Sequence, residues 1–388
     1  MDVIKQAAAL KERLVDFALS PQFARELDEA FERSHPGGLG DSEVAASMIV
    51  DHFALQQRLA SGDTVIDRFL RAHPNLSPRE REMALSWRDV VEGIFEVQGK
   101  DQDAVVLLNL VDELTYRARS NMGKSAFRPV KKGMFLICRL VPLGKDWLVS
   151  AHISLFPADA RDQFLTQAAD IGMRNPKLVF RNPDKLATAR RILDEQHAVF
   201  IELYGAEYIV VPGDHVTARY DAFTRACMDR AQPGNAYPLP SFTCPEEVLE
   251  AETVAIHFDP ETGISFYLEF GLLQELFANP SLINRRRYRE TLTSYLRGDD
   301  IPPAAIRLLA EPEPDNAGVV FGKLLRKKAF SWPEHGESLL RRYKPRYFEE
   351  PRLPTTVPVS ATMARHLRGA PTGADYSSGQ AKPHDGTP

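Results

Sequence analysis

The chain has little cysteine, no long apolar run and no completed catalytic motif. Its three cysteines, Cys138, Cys227 and Cys244, are far apart and odd in number. That excludes a disulfide framework and a cysteine-rich zinc site, and makes the cytoplasm the expected compartment. No stretch approaches the roughly 18 apolar residues that a membrane span requires. The opening Met1-Asp2-Val3-Ile4-Lys5 has no basic region leading into an apolar one, so a soluble protein with no membrane partner is expected. The Gly-x-Ser-x-Gly elbow is absent, and no repeat of fixed period is present. No metal-ligand or nucleotide pattern is complete, so neither a metal nor a cofactor is expected. The net charge of −5, from 53 acidic and 48 basic residues, argues against wholesale coating of nucleic acid but leaves room for a local basic site.

At 388 residues, with 44% hydrophobic and 26% charged, the chain exceeds one ordinary core and reads as a multi-module α+β protein. Residues 1–89 carry helical periodicity, with Leu10, Leu14, Phe17 and Ala18 on one face and Val65, Ile66, Phe69 and Leu70 on another. Ser34-His35-Pro36-Gly37-Gly38-Leu39-Gly40 reads as a flexible loop. Ser77-Pro78-Arg79-Glu80 predicts a capping box opening a helix toward Trp87. Over residues 90–157 the period shortens. Gly93 to Val97, Ala104 to Leu110, Thr115 to Arg119, Met134 to Val141 and Trp147 to Leu155 predict five strands, suited to a small antiparallel β-barrel of OB-like or SH3-like form.

Residues 158–245 predict a mixed α/β module, with helices from Ala160 and from Asp184, a strand at Tyr208 to Val211, and a helix from Thr217. Residues 246–348 predict a β-hairpin, Thr253 to His257 and Ile264 to Phe270, followed by basic helices. Residues 349–388, rich in Pro, Thr, Ser and Gly, predict a largely disordered tail, most strongly from Gly369 onward.

Between Tyr116 and Gly133, Arg117, Arg119, Lys124, Arg128, Lys131 and Lys132 occur without one Asp or Glu. This field of one sign, carried between two strands, suits a polyanion such as RNA or DNA. Tyr116 and Phe127 interleave with the cations as candidate stacking rings. A solvated loop, kept exposed by its charges, is the competing account. Gly123-Lys124-Ser125 resembles the end of a phosphate-binding loop, but the earlier glycine it needs falls at Ala118 and Pro129 opposes an immediate helix.

Catalytic candidates are His257 and Asp259, which alternation puts on one face of a strand, and Asp214 with His215 after Pro212-Gly213. A tight turn accounts equally for Asp259, and a helix N-cap for Asp214. The cation runs Arg285-Arg286-Arg287 and Arg326-Lys327-Lys328 are expected to pair within the molecule, in part with the acidic N-terminal helices, or to be solvated. Phe330-Ser331-Trp332-Pro333 is expected to anchor the end of the fold. The expected function is a non-enzymatic intracellular binding or adaptor protein that contacts a polyanion through the basic hairpin. The alternatives are a hydrolase-like enzyme with a site near His257 and Asp259, or a structural subunit that meets a protein partner through its tail.

Overall fold

The computed structural model describes residues 3–34, 43–230 and 243–369. The expected loop beyond Ser34 and the expected disorder of 370–388 lie outside the described residues. The segments read from the sequence group into two compact units, Met1–Asn182 with Val359–Pro388 and Pro183–Pro358.

The first unit opens with helices α1 (Val3–Ala18), α2 (Ala24–Ser34), α3 (Glu43–Leu55), α4 (Val65–Ala72) and α5 (Pro78–Ser86). The capping box of α5 forms as the sequence predicts. The Ser77 hydroxyl accepts from the Glu80 N–H, while the Glu80 carboxylate accepts from the Ser77 N–H at 2.9 Å. A second box, Thr64 with Asp67, starts α4. Each such cap stabilises its helix by about 1 kcal/mol.

Strands β1 (Val91–Asp101), β2 (Ala104–Asn109), β3 (Thr115–Arg119), β4 (Phe135–Leu143) and β5 (Asp146–Phe156) follow, then α6 (Arg161–Arg174) and α7 (Pro176–Val179). All five strands fall within a few residues of the runs read from the sequence. Their pairings run β1-β2-β3-β5-β4 and return to β1, antiparallel except for β3 with β5. Alternation divides the side chains. Val91, Phe95, Val105, Leu107, Tyr116, Ala118, Leu136 and Leu140 form one core. On the other face, Val141, Leu143 and Leu148 join the helical core of Leu10, Phe23, Phe53, Phe69 and Trp87. The Trp87 indole, fully buried, donates to the Pro142 carbonyl at 3.2 Å and ties the end of α5 to β4.

The second unit contains α8 (Pro183–Tyr204), β6 (Tyr208–Val211), α9 (Val216–Arg230), α10 (Glu246–Leu249), β7 (Val254–Asp259), β8 (Gly263–Leu268), α11 (Phe270–Ala278), α12 (Arg286–Arg297), α13 (Pro303–Ala310), α14 (Pro314–Leu324), α15 (Trp332–Tyr343) and α16 (Arg346–Glu349). The sheet β6-β7-β8 separates two cores. Val211, Val254, Ile256 and Phe258 pack with Phe200 and Phe223 of α8 and α9. Ala255 and Tyr267 pack with Phe270, Leu273 and Phe321 on the other side.

Within the tail read over residues 349–388, the described part to Gly369 is ordered. Arg352 forms ion pairs with Asp259 and Glu261, and the Thr355 N–H donates to the Thr262 carbonyl at 2.8 Å. The chain then forms α17 (Ala361–Gly369), which packs on α6 with Met363 buried. A segment poor in large apolar residues orders here because it completes the hydrogen bonds of a turn and supplies one methionine to a helix face.

Among the described residues no helix is long and apolar enough to cross a membrane.

Candidate functional site

Alternation along β3 decides the fate of the first half of the basic run. Tyr116 and Ala118 point into the closed sheet, so Arg117 and Arg119 point out. Three carboxylates meet them there. Arg117 donates to Asp101 at 2.6 Å and to Asp146 at 2.7 Å, and Arg119 pairs with Asp103. These acids come from the β1–β2 turn and from the start of β5, which the β3–β5 pairing brings alongside. The Arg117 guanidinium is held charged above its usual range, first by the hydrogen bond to Asp101 and then by that to Asp146. Arg117 and Arg119 therefore stitch three strands together, and their charge is locally cancelled.

The two expected stacking rings are also corrected. Tyr116 is 4% exposed and Phe127 3%. Tyr116 sits edge-on to Phe95 and Trp147 and donates its hydroxyl to Asp112 at 2.6 Å. Burial, then the hydrogen bond to Asp112, pushes its phenol pKa well up. Neither ring offers a face to a base; both fill the core.

The second half of the run behaves differently. Between β3 and β4 the chain forms a 3₁₀ turn, Gly123–Phe127, pinned by Phe127 and Val130, which insert into the core. The cations on either side of these anchors and between them face out, and Lys124, Arg128, Lys131 and Lys132 are exposed. The Gly133 N–H donates to the Val97 carbonyl at 2.8 Å, which holds this loop against β1. Near the end of that strand Lys100 reaches the Arg128 carbonyl at 3.5 Å. The loop thus carries four exposed cations, Lys124, Arg128, Lys131 and Lys132, with Lys100 of β1 beside Arg128. Among the described residues no carboxylate lies within ion-pair distance of these five side chains. Lys100 is the member that the sequence reading missed, because it lies on another strand.

The catalytic candidates are not brought together. β6 pairs antiparallel with β7, Tyr208 opposite His257 and Val211 opposite Val254. Asp214 and His215 therefore follow β6 at the Val254 end, while His257 and Asp259 stand at the far end, at least about 10 Å away by strand rise alone. Asp214 lies in the 3₁₀ turn Gly213–His215, not at a helix N-cap. Gly213 has a packing reason, since a Cβ there would collide with the Val248 carbonyl.

Asp259 is a turn carboxylate. It accepts from the N–H groups of Glu261 and Thr262 at 2.9 and 3.1 Å and from Arg352. Burial alone would push it up, but these donors together hold it below the usual carboxylate range. His257, buried beside the Tyr267 hydroxyl at 3.3 Å, is pushed down by burial, which Asp259 and Glu207 only partly oppose.

The first unit holds a buried ionic cluster that no motif announced. Asp51 of α3 is 4% exposed. It pairs with Lys11 of α1 and with Arg139 of β4, at 2.5 Å for the latter, and accepts from the Ser150 hydroxyl of β5 at 2.7 Å. Burial would raise its pKa, yet the two cations and the hydrogen bonds outweigh it and keep the carboxylate ionised. Lys11 also donates to Ser150 at 2.6 Å, a contact that in an open cleft would suggest a nucleophile and its base. The neighbouring cavity, lined by Met48, Glu92, Arg139 and Ser150, is only about 10 Å³. That is no more than one water, so the cluster joins helices to sheet and admits no substrate.

Of the cations in the second unit some pair with acids of that same unit, while Arg326, Lys327 and Lys328 meet no carboxylate among the described residues. Arg287 meets Glu252 and Glu269, Arg286 meets Glu290, and Arg341 meets Glu337.

Among the described residues no group of three or more His, Cys, Asp or Glu side chains is placed to hold a metal ion. The chain matches no protein-family model, no curated protein and no solved structure.

Proposed function

We propose that this chain is a non-enzymatic cytoplasmic binding protein that holds an anionic polymer, RNA or DNA, on the loop between β3 and β4. The observation that carries the reading is the exposure of Lys124, Arg128, Lys131 and Lys132 on one loop, with Lys100 beside Arg128, and no carboxylate of the described residues in ion-pair distance of them. Arg117 and Arg119, which the sequence places in the same run, are spent on structure. The strand order, with its one parallel pair, supports an OB-like barrel over an SH3-like one as the carrier.

With Tyr116 and Phe127 buried, the contact is to phosphates and is indifferent to base sequence. Four or five cations on a single strand give a slope of log affinity against log salt of roughly −3. The test is fluorescence anisotropy with single-stranded RNA, single-stranded DNA and duplex DNA across salt. Lys131→Glu with Lys132→Glu is expected to weaken binding by about tenfold or more at low salt and to flatten the slope by about one unit or more. Tyr116→Phe is expected to leave affinity unchanged. Absence of binding at low salt, or equal affinity in the charge-reversed variant, overturns the reading.

A further inference from the structure

A second basic surface lies in the other unit and serves none of the contacts described so far. Between α14 and the segment that leads into α15 runs an open groove of about 650 Å³, lined by Val319, Lys323, Arg326, Lys327, Lys328 and Phe330, among others. Glycines on α14 permit it. A Cβ at Gly318 would stand 3.1 Å from the Phe330 carbonyl, and one at Gly322 would stand 3.0 Å from the Lys327 carbonyl. The returning segment therefore lies close against the helix and holds its side chains in place.

The way α14 ends sets the rim. The Lys327 N–H donates to the Gly322 carbonyl at 2.8 Å and the Arg326 N–H to the Lys323 carbonyl at 3.3 Å. This is a Schellman closure, with Arg326 at φ +57°. Glycine is the usual residue at that position because a Cβ is penalised there. The arginine keeps the strained backbone although its guanidinium, exposed, has no carboxylate partner among the described residues. Lys327 and Lys328 are likewise exposed and without an acid partner among the described residues, of which Asp315 is the one acid in the lining.

The lining also selects among anions. Val319 is 46% exposed, and Pro314, Phe330 and Pro333 add apolar surface between the cations. A bare phosphate or a nucleic-acid backbone gains nothing from such a floor. A peptide that alternates carboxylates with large apolar side chains uses both parts, with the carboxylates on the rim and the apolar groups on Val319 and Phe330. We infer that this groove docks a short acidic, apolar-containing segment of a partner protein. The inference is independent of the polyanion surface on the first unit.

The probe is a fluorescein-labelled peptide of about ten residues that alternates Asp or Glu with Leu or Phe, titrated with the full-length protein. Lys327→Glu with Lys328→Glu is expected to weaken binding by about tenfold or more, and Val319→Ser by about fivefold. Lys131→Glu with Lys132→Glu on the other unit is expected to leave it unchanged. Each variant is checked for an unaltered melting temperature, which the exposure of these residues predicts. A control peptide with Ser in place of Leu and Phe is expected to bind at least about fivefold more weakly. Equal binding of that control overturns the inference in favour of an unspecific cation patch. Displacement by inorganic tripolyphosphate or single-stranded RNA at concentrations below that of the acidic peptide overturns it in favour of a phosphate site. No binding at low salt, or no effect of the charge reversal in the groove, overturns it outright.

Discussion

Asp51 and Asp259 are both buried, both ionised and each bound to an arginine, yet they are built in opposite ways. Asp51 gathers Lys11, Arg139 and Ser150 from three separate elements. Asp259 takes two of its donors from the backbone two and three residues ahead and one from Arg352. The first carboxylate exists only because the tertiary fold assembles its partners; the second is mostly made by its own turn. Removing each should therefore have different reach.

Asp51→Ala is expected to cost the most, about 3–5 kcal/mol by urea denaturation, because it strands the half-buried Lys11 and leaves the buried Arg139 with Glu92 as its one remaining acid among the described residues. Hydrogen exchange read by peptide mass spectrometry should show the loss of protection spread over α1, α3, β4 and β5. A loss near 1 kcal/mol would mean that Lys11 and Arg139 find water or other acids, and the comparison would collapse. Asp259→Ala is expected to cost about 2–3 kcal/mol, since the Glu261 and Thr262 amides lose their acceptor, with exchange rising mainly at the β7–β8 turn and at residues 352–355. Arg352→Ala sharpens the contrast. Leaving the turn's own hydrogen bonds intact, it should cost only about 1–2 kcal/mol, whereas Arg139→Ala in the first unit should approach the Asp51 value.

The smallest effect is a pH dependence. Burial holds the His257 imidazole below its usual pKa near 6.5, so below pH 6.5 the unfolded chain binds more protons than the folded one. The stability of the native state is therefore full above that pH and declines as pH falls, at no more than about 1.4 kcal/mol per pH unit. The Asp51 and Asp259 contributions persist further, because their folded values lie below the usual 3.8. They are lost only as pH falls below that usual value and through the folded ones. His257→Gln should remove the first decline in stability between pH 6.5 and the carboxylate range and leave the second. An unchanged profile would show that His257 is not the group that titrates.

How much was legible follows the same division. Strands, the α5 capping box and the Asp259 turn could be read because each is decided by residues adjacent in sequence. The inward phase of Tyr116 was also readable, since it shares β3 with Ala118 while the arginines occupy the alternate positions. The neutralisation of Arg117 and Arg119 was not, because Asp101, Asp103 and Asp146 become neighbours only through strand pairing. A run of one charge sign specifies the chain's own charge and nothing about the counter-charges folded beside it. The Asp51 cluster was hidden for the same reason, its members lying at positions 11, 51, 139 and 150. The groove at Arg326 lay between, its cations visible as a cluster but its floor created by the return of the chain over Gly318 and Gly322.

The path of the chain through the two units has a consequence for the order in which the molecule can be made. Residues 183–358 form one unit, and α17, which follows them, belongs to the other. On a ribosome, α6 emerges early and must wait through the synthesis of the whole intervening unit before Met363 arrives to cover it. The intervening unit, by contrast, has its last strap, Arg352 to Thr355, immediately at its end. It can finish first, although its sequence begins second.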